Sequence, residues 1–182
     1  PGEGGANSSW SVVDRYGLIE LYSVKTPDTT VIPNVTMSLM QRYGVPAEKV
    51  ALDRGGGGKQ HADVLRARGH NVRTVAFGES VVLEPRRGIT PFKDKVGNVE
   101  EKYAYKNRRA EMYGTLSLLL DPALNETGFG IPAGYVNLRK ELSVFPKEYD
   151  EEGRQTLPPK SKTDPNSKRK TLTDMIGHSP DE

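Results

Sequence analysis

Val50-Ala51-Leu52-Asp53-Arg54-Gly55-Gly56-Gly57-Gly58-Lys59 is the stretch whose reading decides the fold. A short apolar strand over Lys49 to Leu52 ends on an aspartate and breaks into a glycine run. A helix over Gln60 to Arg68 follows, closed by Gly69, and Asn71 to Phe77 reads as another strand. Upstream, Thr29 to Tyr43 reads as a helix, with Thr29 or Thr30 as cap, Pro33 in its first turn and Gly44 as its stop. Ile32, Val35, Leu39, Met40 and Tyr43 share its apolar face. The strand, helix, strand, helix, strand rhythm predicts an α/β fold with a central mixed β-sheet flanked by helices.

Further out, Trp10 to Val13 and Leu18 to Val24 read as a hairpin turning at Asp14-Arg15-Tyr16-Gly17. A hairpin so close to Pro1-Gly2-Glu3-Gly4-Gly5 implies a preceding strand. Residues 78–97 have no period and read as a mobile loop. Val99 to Leu120 reads as the longest helix. Its apolar face holds Val99, Tyr103, Ala110, Met112, Tyr113, Leu116, Leu119 and Leu120, and Asp121-Pro122 stops it. Tyr135 to Phe145 reads as a helix, Tyr149 to Arg154 as a turn leading into a strand through Leu157. Residues 158–170 form a polar, Lys-rich loop before a short helix over Lys170 to Ile176. Ser179-Pro180-Asp181-Glu182 reads as the cap and first turn of one more helix.

Bulk properties bound the function. The 182 residues suffice for one domain with a core. Mean hydropathy is −0.63, and no apolar run approaches a membrane span. Pro1 to Asn7 lacks the basic and apolar parts of a secretory signal. Without cysteine there are no disulfides or thiolate metal sites, and a cytosolic setting is the simplest expectation. Net charge is +2, so the placement of charge matters more than its total. Cations cluster at Arg86-Arg87, at Lys106 to Arg109 and over Lys160 to Lys170, and each cluster alone also reads as a solvated face.

Asp53 and its glycines occupy the edge of an α/β sheet where ligands bind. Two phosphate loops fail the test there. A Walker loop requires Gly at Asp53 and Ser or Thr at Gln60, and a dinucleotide loop requires Gly at Gln60. What remains is an exposed aspartate beside a backbone that a phosphate or ion can approach closely. The same residues read equally well as a capping Asp in a glycine turn. His61, His70 and His178 lack zinc spacing, and His61 with Asp63 reads as part of a solvated helix face.

The segments Asp53 to Gly58, Val72 to Gly78, Tyr105 to Tyr113, Ile131-Pro132, Leu157 to Lys160 and Ser179 to Asp181 resemble, in that order, the nuclease domain of phage terminase large subunits. The likeness spans nearly all of 1–182. It implies a ribonuclease H-like fold that cuts concatemeric double-stranded viral DNA during genome packaging, in the cytoplasm of a bacterial host. It implies Mg²⁺ or Mn²⁺, two ions held by three carboxylates from separate elements. It also implies a terminase small subunit and a portal protein as partners of the full-length protein. Asp53 matches the second carboxylate. The first would precede Pro1 and the third would follow Glu182, so the fold is expected to lack its first strand and last helix, and the 182 residues alone are expected to be inactive. Asp181 matches an accessory position near the metals. Lys160 reads either as a phosphate contact or as a solvated lysine. Arg108, Arg109, Lys162 and Lys168 are the expected contacts to the DNA backbone.

Hard cations favour carboxylate oxygens, and two ions roughly 3.5–4 Å apart activate a water and stabilise the leaving oxygen. Three other readings stand beside this one: another ribonuclease H-like nuclease of the resolvase or transposase kind, an ATPase fragment of the actin and sugar-kinase kind, and a non-catalytic module that binds DNA or partner subunits.

Overall fold

The computed structural model describes residues 7–81, 105–124, 128–160, 168 and 170–177. Chain order begins with the hairpin β1 (Ser8–Asp14) and β2 (Gly17–Val24), followed by helix α1 (Val31–Tyr43). A 3-10 turn (Ala47–Lys49) leads into β3 (Ala51–Asp53), α2 (Gly58–Ala67) and β4 (Arg73–Val75). Then come α3 (Arg108–Leu120), α4 (Val136–Ser143), the short hairpin β5 (Glu148–Tyr149) and β6 (Gln155–Thr156), and α5 (Leu172–Ile176). Among the described residues no helix is long and apolar enough to cross a membrane.

The unit expected around Asp53 is present. β3 and β4 pair in parallel, Asp53 opposite Val75, and α2 makes the crossover between them. Its core is small: Ala62, Leu65 and Val72 are buried, with Met37, Ala47, Val50 and Leu52 packed against them. Helix α1 covers this core and ends as read, with Gly44 in the left-handed region and its N–H on the Met40 carbonyl. No threonine caps its start; Asp28 instead accepts from the Thr30 amide and hydroxyl. Thr36 is buried on α1, giving its hydroxyl to the Ile32 carbonyl and accepting the Trp10 indole N–H at 2.9 Å. That bond ties the first hairpin to α1.

The β1–β2 hairpin turns as expected: Asp14 Oδ1 accepts the amides of Tyr16 and Gly17. Gly17 faces Gly130, and a Cβ at Gly17 would lie 1.9 Å from the Gly130 oxygen. That approach brings the stretch before Ile131-Pro132 alongside the hairpin. In the β5–β6 turn, the Arg154 guanidinium donates to Asp150 and holds its carboxyl below the usual carboxylate range.

Four expectations change. First, one continuous central sheet is not formed among the described residues. The strands pair in three separate ladders, β1–β2 antiparallel, β3–β4 parallel and β5–β6 antiparallel. The parallel pair is three residues long, and the first hairpin closes on itself with an irregularity between Val12 and Val13.

Second, the helix expected over Val99 to Leu120 starts at Arg108. Tyr105 pairs with Gln155 in an isolated bridge, and Asn107 is extended and caps α3 by accepting the Ala110 amide at 3.0 Å. Residues 99–104 lie outside the described residues, as do 82–97 of the expected loop.

Third, the buried stripe of α3 is Ala110, Glu111 and Gly114, while Met112 is exposed. The Tyr105 ring sits where a Gly114 side chain would be, 2.2 Å from such a Cβ, and Arg108 neutralises Glu111 at 2.6 Å. Glu111 is therefore an internal charge. Tyr113 does pack inward, its ring 4.5 Å from that of Phe145, and burial pushes its hydroxyl pKa up.

Fourth, His61 is buried on α2 rather than solvated, and that burial lowers its imidazole pKa.

Candidate active site

β3 delivers Asp53 to the carboxyl edge of the parallel pair, and the backbone past it is tightly specified. The Arg54 amide donates to the Val75 carbonyl at 2.7 Å, one rung beyond the ladder. Gly56 and Gly57 then take positive φ, 54° and 87°, which a side chain would strain. The Gly58 amide closes the turn on the Gly55 carbonyl at 3.0 Å and α2 begins. Gly58 lies directly against the Asp53 carbonyl: a Cβ there would fall 1.7 Å from that oxygen. The glycine run therefore folds the chain back onto the aspartate with no side chain between them.

The Asp53 side chain is exposed. Its Oδ1 accepts the Gly55 amide at 3.0 Å, the local bond of an aspartate that stabilises its own turn. One oxygen is thus fixed by the turn, and the other, Oδ2, has no hydrogen bond among the described residues. No group of three His, Asp or Glu that could hold a metal exists among the described residues. Asp53 therefore offers a hard oxygen donor, which by itself is not a complete ligand set for a cation.

The same edge collects other charged groups. The loop after β4 carries Glu79, whose carboxylate pairs with the Arg54 guanidinium. Its backbone carbonyl accepts the Arg108 amide at 2.9 Å, and the Phe77 carbonyl accepts the Arg109 amide at 3.1 Å. The start of α3 is thereby fastened to the β4 exit, which brings Arg108 and Arg109 to the edge that carries Asp53. Arg108 spends one guanidinium nitrogen on Glu111. Arg54 and Glu79 went unremarked in the sequence. The signal available for Glu79 was its place just past Phe77-Gly78, at the carboxyl end of a strand predicted to be parallel to β3.

Lys160 lies on the β6–α5 connection. Its carbonyl accepts both the amide and the hydroxyl of Thr173, at 3.2 and 2.8 Å, at the first turn of α5. Thr171 and Asp174 complete that turn as a reciprocal cap. Lys168 is exposed. Lys162 and Asp181 lie outside the described residues.

No family model matches the sequence, and no curated protein matches it. Solved structures do. The nuclease domain of the large terminase subunit gp2 of bacterial virus Sf6 matches with a TM-score of 0.62 at 14% identity, over 86% of this chain and 73% of that one. A lysine-to-alanine variant of that domain with manganese and beta-thujaplicinol matches with a TM-score of 0.62 at 13% identity, over 95% of this chain and 80% of that one. The same variant with manganese matches with a TM-score of 0.59 at 14% identity, over 96% and 87%. The chain shares its fold with these terminase nuclease domains, as the resemblance in the sequence implied.

Proposed function

We infer that this chain is the nuclease domain of a phage terminase large subunit, and that it hydrolyses double-stranded DNA during genome packaging with divalent cations held at Asp53. The observation that carries the reading is an exposed carboxylate on the carboxyl edge of the parallel pair, in a fold whose solved counterparts include manganese-bound nuclease domains. The partners are duplex DNA and, for the full-length protein, a terminase small subunit and a portal. The setting is the cytoplasm of the bacterial host.

Asp53 would hold the metal through Oδ2 while the Gly55 amide fixes Oδ1 and so the plane of the carboxylate. Its co-ligands come from outside the described residues, and Asp181 is the candidate within this sequence. When bound, Mg²⁺ or Mn²⁺ supplies an activated water and charge for the leaving oxygen. The side-chain-free turn from Gly55 to Gly58 leaves room for a phosphate against the backbone. Arg109, Lys162 and Lys168, with the part of Arg108 not spent on Glu111, neutralise the DNA backbone without reading sequence. Lys160 serves at the scissile phosphate.

The Asp53–Gly55 bond favours one second reading, a non-catalytic module in which Asp53 only stabilises its turn. Incubation of supercoiled plasmid with the protein as encoded by its gene separates the two. Nicked and linear DNA appear with Mg²⁺ or Mn²⁺ and not with EDTA if the nuclease reading holds. Intact plasmid under every divalent condition overturns it, as does ATP hydrolysis in place of DNA cleavage.

A further inference from the structure

We propose that Arg54 is a phosphate-binding residue of this edge, held ready in the free protein by Glu79, so that DNA binds by displacing one carboxylate from one guanidinium. The inference rests on the DNA-cutting function above and adds a binding residue and its control.

Both ends of the pair are pinned by backbone. Arg54 directly follows Asp53, and its amide is bonded to Val75. Glu79 donates its amide to the Ala76 carbonyl at 3.2 Å and accepts the Arg108 amide. The pair therefore bridges the β3 and β4 exits, one residue from the carboxylate that would hold the metal. A guanidinium held in one place loses little further entropy when it takes a phosphate, and its fork fits two phosphate oxygens at once.

Exposure decides which arginine at this edge can change partners. Arg54 and Glu79 are 44% and 43% exposed. Such exposed pairs contribute little to stability, so exchanging Glu79 for a phosphate costs little. Arg108 and Glu111 are 20% and 4% exposed. The Arg108–Glu111 pair is thus mostly buried, and breaking a buried ion pair is strongly unfavourable. The nitrogen that Arg108 gives to Glu111 is thus committed to α3, whereas the whole Arg54 guanidinium can change partner.

The test is a double-mutant cycle on duplex binding. Fluorescence anisotropy of a labelled DNA duplex is read with the protein as encoded, in EDTA to prevent cleavage, over a salt series. Glu79→Gln should tighten binding about threefold to tenfold, and Arg54→Ala should weaken it about as much and lower the salt slope by about one. In the Arg54→Ala background, Glu79→Gln should change affinity by less than about twofold. Arg54→Lys keeps the charge but not the fork and should fall between wild type and Arg54→Ala. Equal tightening by Glu79→Gln with and without Arg54 would mean bulk charge alone and overturns the proposal. So does an Arg54→Ala protein with wild-type affinity and slope, although cleavage and the nuclease reading would then survive. A wild-type protein that binds no duplex at all removes both.

Discussion

Asp53→Asn should abolish metal-dependent cleavage of plasmid, by about a thousandfold or more, the order lost when a group that supports transition-state charge is removed. Duplex affinity should stay within about threefold, because one negative charge is lost and no cation is touched. The asparagine is chosen for what it keeps. Its side-chain oxygen can still accept the Gly55 amide at the 3.0 Å position now held by Oδ1, and asparagine favours such turns as strongly as aspartate does. The turn and the fold survive, and only the charge and hard-donor strength of the carboxylate are lost. If Asp53 merely stabilises its turn, the substitution is silent. Cleavage at the wild-type rate therefore rejects a metal role for Asp53, and a rate near zero with an unchanged melting temperature supports it.

Gly58→Ala should damage both the fold and the site. The new Cβ would lie 1.7 Å from the Asp53 carbonyl oxygen. That neighbour is backbone at the end of a paired strand, so no rotamer change relieves the clash. Either α2 must start further from β3 or the end of β3 must leave the ladder. Leu65 and Ala62 on α2 are wholly buried against Val72, so moving the helix also opens the small core. Overpacking of this kind costs about 1–3 kcal/mol, more where backbone must move. For a chain of this size about 3 kcal/mol lowers the melting temperature by about 6–12 °C. Cleavage should fall well beyond what the lost stability explains, because the displaced strand end carries Asp53. A Gly58→Ala protein that melts and cuts like wild type would show that the contact between the turn and the aspartate carbonyl is dispensable.

The local parts of this design were legible in the sequence, and the paired parts were not. Asp14 and Gly17 announce their hairpin, Gly44 ends α1, and the break from Leu52 through Asp53 into glycine marks a sheet edge. Each signal lies within a few residues of what it controls. Glu111 reads as a surface charge until Arg108 and the Tyr105 ring over Gly114 enclose it. Nothing local marks Thr36 as buried; Trp10, 26 residues away, donates to it. The helix that seemed to begin at Val99 starts at Arg108 because Tyr105 is drawn into a bridge with Gln155, and no periodicity in the segment reports that. Asp53 was readable as a candidate from its position alone. The Arg54–Glu79 pair beside it was not, since its members are 25 residues apart and join only when β3 and β4 align.

The most direct measurement is the anomalous signal of manganese in crystals of the encoded protein grown with Mn²⁺. The account predicts a manganese ion about 2.0–2.3 Å from Asp53 Oδ2, the range of hard-cation bonds to oxygen, with Oδ1 still accepting the Gly55 amide. Manganese bound elsewhere, with the Asp53 carboxylate engaged by the Gly55 amide alone, would contradict it.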